Sequence, residues 1–288
     1  MKVAVGFLVS YDFRFLKTAL PLVYQSAHKI VLAMDAQRKT FTGTAYYFEE
    51  DFKTWVQQLD TAHKIEWLEE PFYEPGMTPQ QVVLKKRNRL LQKMQPANWY
   101  IQLDADEYFL NFEGFVSFLR QLKIDPGQKL AVSVNWKTIF KELPQGYLMI
   151  AGRTEAVEVA TNFPAYTRER GHDDTENIST NFVMLHQSWA RSEEEIKTKI
   201  ENWSHAHDFD TACFYCRWQS CNASNYKQFI NFHPIHHLLW PRLAWVKASH
   251  MDALIAHYQK HPPKPEKPNP KPLSVLLKST LKKLIKPL

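Results

Sequence analysis

The stretch WYIQLDADEYF, Trp99 to Phe109, is an apolar run that ends in three carboxylates, Asp104, Asp106 and Glu107. Its length and its aromatic and aliphatic content are those of a buried strand, and the acids mark where the chain leaves the core. Residues i and i+2 of a strand share a face, so Asp104 and Asp106 point to one side of Ala105 while Glu107 points to the other. Two carboxylates on one side offer the hard oxygen ligands that Mg²⁺ and Mn²⁺ prefer, in a shell that these ions commonly complete with substrate phosphates. Taken alone, Asp-x-Asp is explained as well by a capped polar turn or a surface ion pair.

Upstream of this run the pattern alternates. Val3–Val9 and Lys29–Met34 are short runs rich in Val, Ile and Leu, and RFLKTALPLVYQSA between them has helical apolar spacing. The spacing predicts a helix over 51–62, a strand over 63–70 and a long amphipathic helix over 78–94 that feeds Trp99–Phe109. Alternating strands and helices predict an α/β fold with a mostly parallel central sheet flanked by helices. In such sheets ligands bind beyond the carboxyl ends of the strands.

Downstream, 112–122 reads as a helix and 129–140 as a strand, whereas 141–180 weakens into loops with short strands. A helix resumes over 191–203, where Ser192 and Glu195 form a capping-box pair. Residues 261–272, HPPKPEKPNPKP, contain six prolines and predict a stiff extended linker. In LSVLLKSTLKKLIKPL beyond it, Leu and Ile fall on one helical face and Lys278, Lys282, Lys283 and Lys286 on the other, the pattern of a basic membrane-associating helix over 273–288.

The chain has 288 residues, 44% hydrophobic and 14% aromatic, enough for a substantial core. Its net charge of +6 is concentrated at the end: residues 260–288 hold eight Lys against one Glu, which leaves the body near −1. That distribution argues against a nucleic-acid partner. The first residues read as a strand rather than a signal peptide, and no run approaches the roughly 20 apolar residues of a membrane span. The three cysteines, Cys213, Cys216 and Cys221, are too few and too close for a disulfide framework. These features predict a cytoplasmic protein, peripheral at the inner face of the cell membrane.

The LDADE strand end, with Arg87-Asn88 about 15 residues ahead on the preceding helix, resembles the glycosyltransferases of the GT-A fold, in particular family 2 and its bacterial surface-glycan relatives. Asp35, followed by Thr42-Gly43-Thr44, is similar to the family's early Asp and Gly-Thr turn, although AQRKTF stands where the usual Asp-x-Gly-Ser-Thr run would be. FVMLHQSWARSEEEIKTKI, NWSHAHDFD and NFHPIHHLLWPRL also resemble segments of these enzymes. The resemblance covers about residues 3–246, strongest at 87–109 and 182–210.

The resemblance implies a metal-dependent, inverting transferase moving a sugar from a nucleotide-diphosphate donor to a glycan or lipid-linked acceptor in bacterial surface-polysaccharide or lipopolysaccharide synthesis. It implies Mn²⁺ or Mg²⁺ on Asp104, Asp106 and His186, and a donor site made of Ser10, Tyr11, Asp35, Arg87, Asn88, Asp104, Ala105 and Asp106. The base that deprotonates the acceptor is expected after the metal strand: Asp174 first, with Asp173 and Glu176 beside it and Glu155 or Glu158 as alternatives. The expected organisation is a catalytic domain over 1–246, a helical segment over 247–260, the Pro-rich linker and the terminal helix. The rival readings are a sugar nucleotidyltransferase, opposed by the lack of a Gly-rich loop after the first strand, and a non-catalytic membrane-associated protein of the same fold. His205, His207 and the three cysteines raise zinc, but a third Cys only five residues after the second fits packed thiols better. His233, His236 and His237 read as hydrogen-bonding histidines beside an aromatic surface.

Overall fold

Strand β1 (Val3–Val9) is buried at every position. A continuous apolar strand needs cover on both faces, and helices supply it. Helix α1 (Leu16–Tyr24) leads to β2 (Lys29–Asp35), α2 (Asp51–Leu59) to β3 (Ile65–Glu70), and α3 (Pro79–Met94) to β4 (Trp99–Asp104). β1 pairs in parallel with β2 on one side and with β4 on the other, and β2 pairs in parallel with β3. The structure is a computed structural model and describes residues 1–205, 208–263 and 266.

Helix α3 begins at Thr78, whose hydroxyl accepts from the Gln81 amide while the Gln81 side chain returns to the Thr78 amide, and Pro79 occupies its first turn. Its buried face carries Val83, Lys86, Arg87, Leu90 and Met94. Close seating of α3 on β1 depends on Gly6, where an added Cβ would lie 2.7 Å from Met94 Sδ and 2.8 Å from Leu90. The fit sets the depth at which Arg87 reaches the end of β4.

After Asp104 the chain turns into β5 (Glu107–Phe109), α4 (Phe112–Gln121), β6 (Leu130–Leu143), β7 (Gly146–Ala151), β8 (Glu155–Thr161) and β9 (Glu176–His186). Then come α5 (Glu193–Asn202), α6 (Thr211–Ser220), β10 (Arg242–Lys247) and α7 (Met251–Lys260). The sheet runs β10-β7-β6-β8-β4-β1-β2-β3, with β9 joined to β5 and β6. β8 is antiparallel to both β4 and β6, and β7 to β6 and β10. The expected α/β class therefore holds. The N-terminal strands β1 to β4 are parallel, β9 also runs parallel to β6, and the sheet as a whole is mixed.

The region 141–180, expected as loops with short strands, contains β7, β8 and the start of the eleven-residue β9. β9 was obscured because Glu176–Phe182 is polar and only partly buried. The capping box of α5 forms as expected, with the Ser192 hydroxyl accepting from the Glu195 amide. A second core of Phe140, Trp189, Phe214, Trp218, Phe232 and Trp240 joins β6 to α5, α6 and the loop before β10. Within it the Trp218 indole N–H donates to the carbonyls of Phe140 and Trp189. Leu254 and Ile255 of α7 enter the main core, so the segment 247–260 packs on the body of the protein. The expected terminal helix 273–288 and most of the Pro-rich segment lie outside the described residues. Among the described residues no helix is long and apolar enough to cross a membrane.

Candidate active site

β1 and β4 run in register, Leu8 beside Asp104, so the residues after both strands emerge at one edge of the sheet. A cleft of about 630 Å³ opens there, with Ser10, Tyr11, Asp12, Asp104, Ala105 and Asp106 on its floor. Of the expected donor residues, Ser10, Tyr11, Arg87, Asp104, Ala105 and Asp106 come together in one cavity.

Asp104 is held by two guanidinium groups. Arg87 Nη2 donates to Oδ1 at 2.9 Å and to Oδ2 at 3.2 Å, and Arg170 Nη2 donates to Oδ2 at 2.6 Å. Burial opposes ionisation of Asp104, but Arg170 and Arg87 outweigh it and hold the carboxyl down at about 2. Arg170 also donates to Glu107 at 2.8 Å. Glu107 is fully buried behind the cleft lining, shares Arg170 with Asp104 and accepts from the Asp104 amide at 2.8 Å. Burial pushes its carboxyl up to about 7, against the pull of Arg170.

Asp106 is 2% exposed. Its Oδ2 accepts from Arg191 Nη2 and lies 3.7 Å from Lys199 Nζ. Its Oδ1 faces Nε2 of His186 at 3.6 Å. Burial opposes the charge, yet His186, Lys199 and Arg191 together drive this carboxyl well below the usual range. Arg191 also donates to Asp12 at 3.0 Å, tying the ends of β1 and β4 together.

His186 reaches this position because β9 pairs with β5 (Glu107 beside His186) and with β6 (Thr138 beside His186). Trp136 stacks on its ring at 4.5 Å between centroids. Burial pushes the imidazole down to about 4, so it is neutral at neutral pH and keeps a ring lone pair. Asp106 Oδ1 and this imidazole fit a divalent cation as two protein ligands whose shell substrate phosphates would complete. Asp104 does not join them, because both its oxygens accept from arginines. Among the described residues no three His, Cys, Asp or Glu side chains stand together as a metal-holding group. Of the expected three-residue ligand set, Asp106 and His186 face each other, and Asp104 is held by Arg87 and Arg170 instead.

Two other expected donor residues serve the scaffold. Asp35 is absent from the cleft wall: Oδ1 accepts from the amides of Gln37 and Lys39, and Oδ2 from those of Phe72 and Tyr73. A short acid after a strand commonly satisfies the following turn in this way. Asn88 pins the backbone of Tyr166, donating to its carbonyl at 3.1 Å and accepting from its amide at 2.8 Å. The segment so held carries Arg168, Glu169 and Arg170, so Asn88 acts on the site through Arg170.

The opposite wall is aromatic and acidic: Trp136, Trp189, Trp203 and Trp240, with Glu155 and Glu158. The expected bases Asp173, Asp174 and Glu176 are not on it. Asp173 and Asp174 are exposed on the turn before β9, where Asp174 faces Lys129 at 3.6 Å, and Glu176 accepts from Gln128 at 3.0 Å. Local sequence could not separate these acids, because which of them faces the cleft is decided by the pairing of β6 with β8 and β9. The roles of Asp12, Arg170, Arg191 and Lys199 were likewise missed. Asp12 carried a usable signal, since it follows β1 as Asp104 ends β4.

Cys213 and Cys216 are exposed on α6 and Cys221 is buried, each a free thiol. Burial pushes Cys221 up to about 11 and it packs in the second core, whereas Cys213 and Cys216 are exposed rather than the packed thiols expected. His207 lies outside the described residues.

No family model matches the chain, and no curated protein matches it. Among solved structures it is similar to S. aureus TarS in complex with UDP, at TM-score 0.34 and 14% identity over 51% of this chain and 39% of that one. TarS in complex with UDP-GlcNAc gives a TM-score of 0.39 at 11% identity, covering 74% of this chain and 69% of the other. The mannosyltransferase PcManGT from Pyrobaculum calidifontis, in complex with GDP-Man and Mn²⁺, gives 0.41 at 11% identity over 77% of this chain and 65% of that chain. The chain thus spans 39% of the length of the UDP-bound TarS chain. The geometry of the cleft carries the reading that follows.

Proposed function

We propose that this protein is a GT-A-type glycosyltransferase that moves a sugar from a nucleotide-diphosphate donor to a hydroxyl acceptor with inversion at the anomeric carbon. One observation carries the reading: a single cleft joins a charged end at the strand termini to an aromatic and acidic end. The charged end suits a diphosphate, and the indoles with the carboxylates of Glu155 and Glu158 suit sugar rings and their hydroxyls.

At the charged end Asp12, Asp104 and Asp106 pair with Arg87, Arg170, Arg191 and Lys199, which leaves little unpaired positive charge. An arriving diphosphate therefore calls for further positive charge. Asp106 and His186 would hold Mn²⁺ or Mg²⁺ there, which would supply charge stabilisation to the leaving diphosphate. Lys199, Arg87 and Arg170 line the same end and orient the phosphates through fixed N–H groups. The nucleoside is assigned to the region of Ser10, Tyr11 and Phe41. There Asn202 accepts from Thr40 at 2.8 Å and from Thr42 at 2.7 Å, holding the loop against α5.

We assign the acceptor to a glycan or lipid-linked saccharide of a bacterial surface polymer, with the basic tail 273–288 directing the enzyme to the inner face of the membrane. The sequence of that tail and the resemblance support this setting. The test of the function is release of nucleoside diphosphate from a panel of UDP- and GDP-sugars with Mn²⁺. Turnover that His186→Ala abolishes supports the reading, and inertness of the wild-type protein toward the whole panel overturns it.

A further inference from the structure

The wall facing the donor end holds several carboxylates, and their partners separate them. Glu158 pairs with Arg168 at 2.8 Å and accepts from Asn177 at 2.9 Å. Glu169 is half exposed and lies 3.7 Å from Arg87. Glu155 differs, since its hydrogen-bond partner is neutral: the Trp240 indole N–H donates to Oε1 at 2.9 Å. We infer that Glu155 is the base that takes the acceptor's hydroxyl proton, and that Trp240 positions it. This rests on the proposed transfer reaction and names the residue that completes it.

The register places Glu155 suitably. On β6, Trp136 pairs with Glu155 of β8, while Thr138 pairs with His186 of β9, so all four side chains share one face of the sheet. β8 and β9 flank β6, and strands spaced by about 4.8 Å put Glu155 and His186 on the order of 10 Å apart. Trp136 lies between them, its indole stacked on His186 and its ring nitrogen buried, and it lines the cleft together with both.

The step balances. The acceptor oxygen bonds to the anomeric carbon as the bond from that carbon to the diphosphate oxygen breaks. The bonding pair leaves with the diphosphate, and the hydroxyl proton passes to Glu155 Oε2, the oxygen that Trp240 does not hold. Burial pushes Glu155 up to about 6, opposed by the Trp240 hydrogen bond, so it is ionised at neutral pH and basic enough to accept a proton. Charged neighbours on the adjoining elements are engaged elsewhere: Lys137 of β6 with Glu266, and Arg168 with Glu158. His233, edge-on to Trp240 at 4.5 Å, is pushed down to about 4 by burial and is neutral.

The experiment compares wild type, Glu155→Gln and Trp240→Phe in donor binding, transfer rate and pH profile, once a donor and an acceptor have been found. Glu155→Gln should bind the donor as wild type does and transfer about 10²-fold or more slowly. The acid limb of kcat/KM, near pH 6 in wild type, should disappear in that variant. Trp240→Phe removes a hydrogen bond to the ionised form, so its limb should move to higher pH, which a purely structural Trp240 would not cause. Wild-type transfer by Glu155→Gln, or an unmoved limb in Trp240→Phe, overturns the assignment. A wild-type protein that neither binds nor turns over any donor overturns the proposed function itself.

Discussion

Asp106 works in two directions at once, and its substitutions separate them. Its Oδ1 meets His186, while Oδ2 neutralises Arg191 and approaches Lys199. The strand-end sequence alone suggests that Asp106→Ala stays folded and loses only activity. The structure changes that expectation, because the variant leaves two buried cations without their shared carboxylate. Removing one partner of a buried ion pair costs about 3–5 kcal/mol. Urea denaturation should report a loss on that scale, and unchanged stability would contradict the network described. His186→Ala removes a neutral ring and should leave stability nearer to wild type while removing any effect of Mn²⁺ on nucleotide binding. Acid has a predictable sign as well. Arg170 and Arg87 hold the Asp104 carboxyl down at about 2 in the folded protein, below its unfolded value, so its stabilisation is present above the unfolded value. It is lost as the pH falls through about 4 toward 2. Asp104→Asn should flatten that part of the stability profile.

At the scale of elements, α3 sets the site. It delivers Arg87 to Asp104 and Asn88 to Tyr166, and its approach to β1 depends on Gly6. A methyl at Gly6 meets Leu90 and Met94 at less than contact distance, so Gly6→Ala should destabilise by about 1–3 kcal/mol. Thermal unfolding reads that directly, and a neutral result would mean that α3 can shift freely. Asn88→Ala frees the backbone segment that bears Arg170; it should weaken nucleotide binding more than it lowers the melting temperature. The strand-helix alternation through Phe109 was legible because β1, β2 and β4 are short apolar runs with helices of apolar periodicity between them. β9 was not, since its first half is polar and its place depends on β5 and β6, far away in sequence. Arg170 was hidden for the same reason: RERG carries no local sign that it will face Asp104 and Glu107.

At the scale of the molecule, the sheet divides the work. The parallel strands β1 and β4 end in the charged floor, and β6, with β8 antiparallel and β9 parallel beside it, raises the aromatic wall with Glu155 and His186. The floor could be read from WYIQLDADEYF and the Arg87-Asn88 pair. The wall required the fold, which leaves Asp173, Asp174 and Glu176 off the cleft lining and puts Glu155 and Glu158 on it. The cationic end of the chain adds a separable property. Deleting 273–288 should abolish binding to phosphatidylglycerol vesicles in a sedimentation assay while leaving donor binding intact. Retained vesicle binding would remove the tail from the account. The central claim, that Asp106 and His186 with the surrounding cations form a nucleotide-diphosphate site, is tested most directly by calorimetry. UDP and GDP should be titrated into wild type and His186→Ala, each with Mn²⁺ and with EDTA. The account predicts that wild type binds at least one of them more tightly with Mn²⁺ and that His186→Ala loses this gain. No binding of either nucleotide in either condition would contradict it.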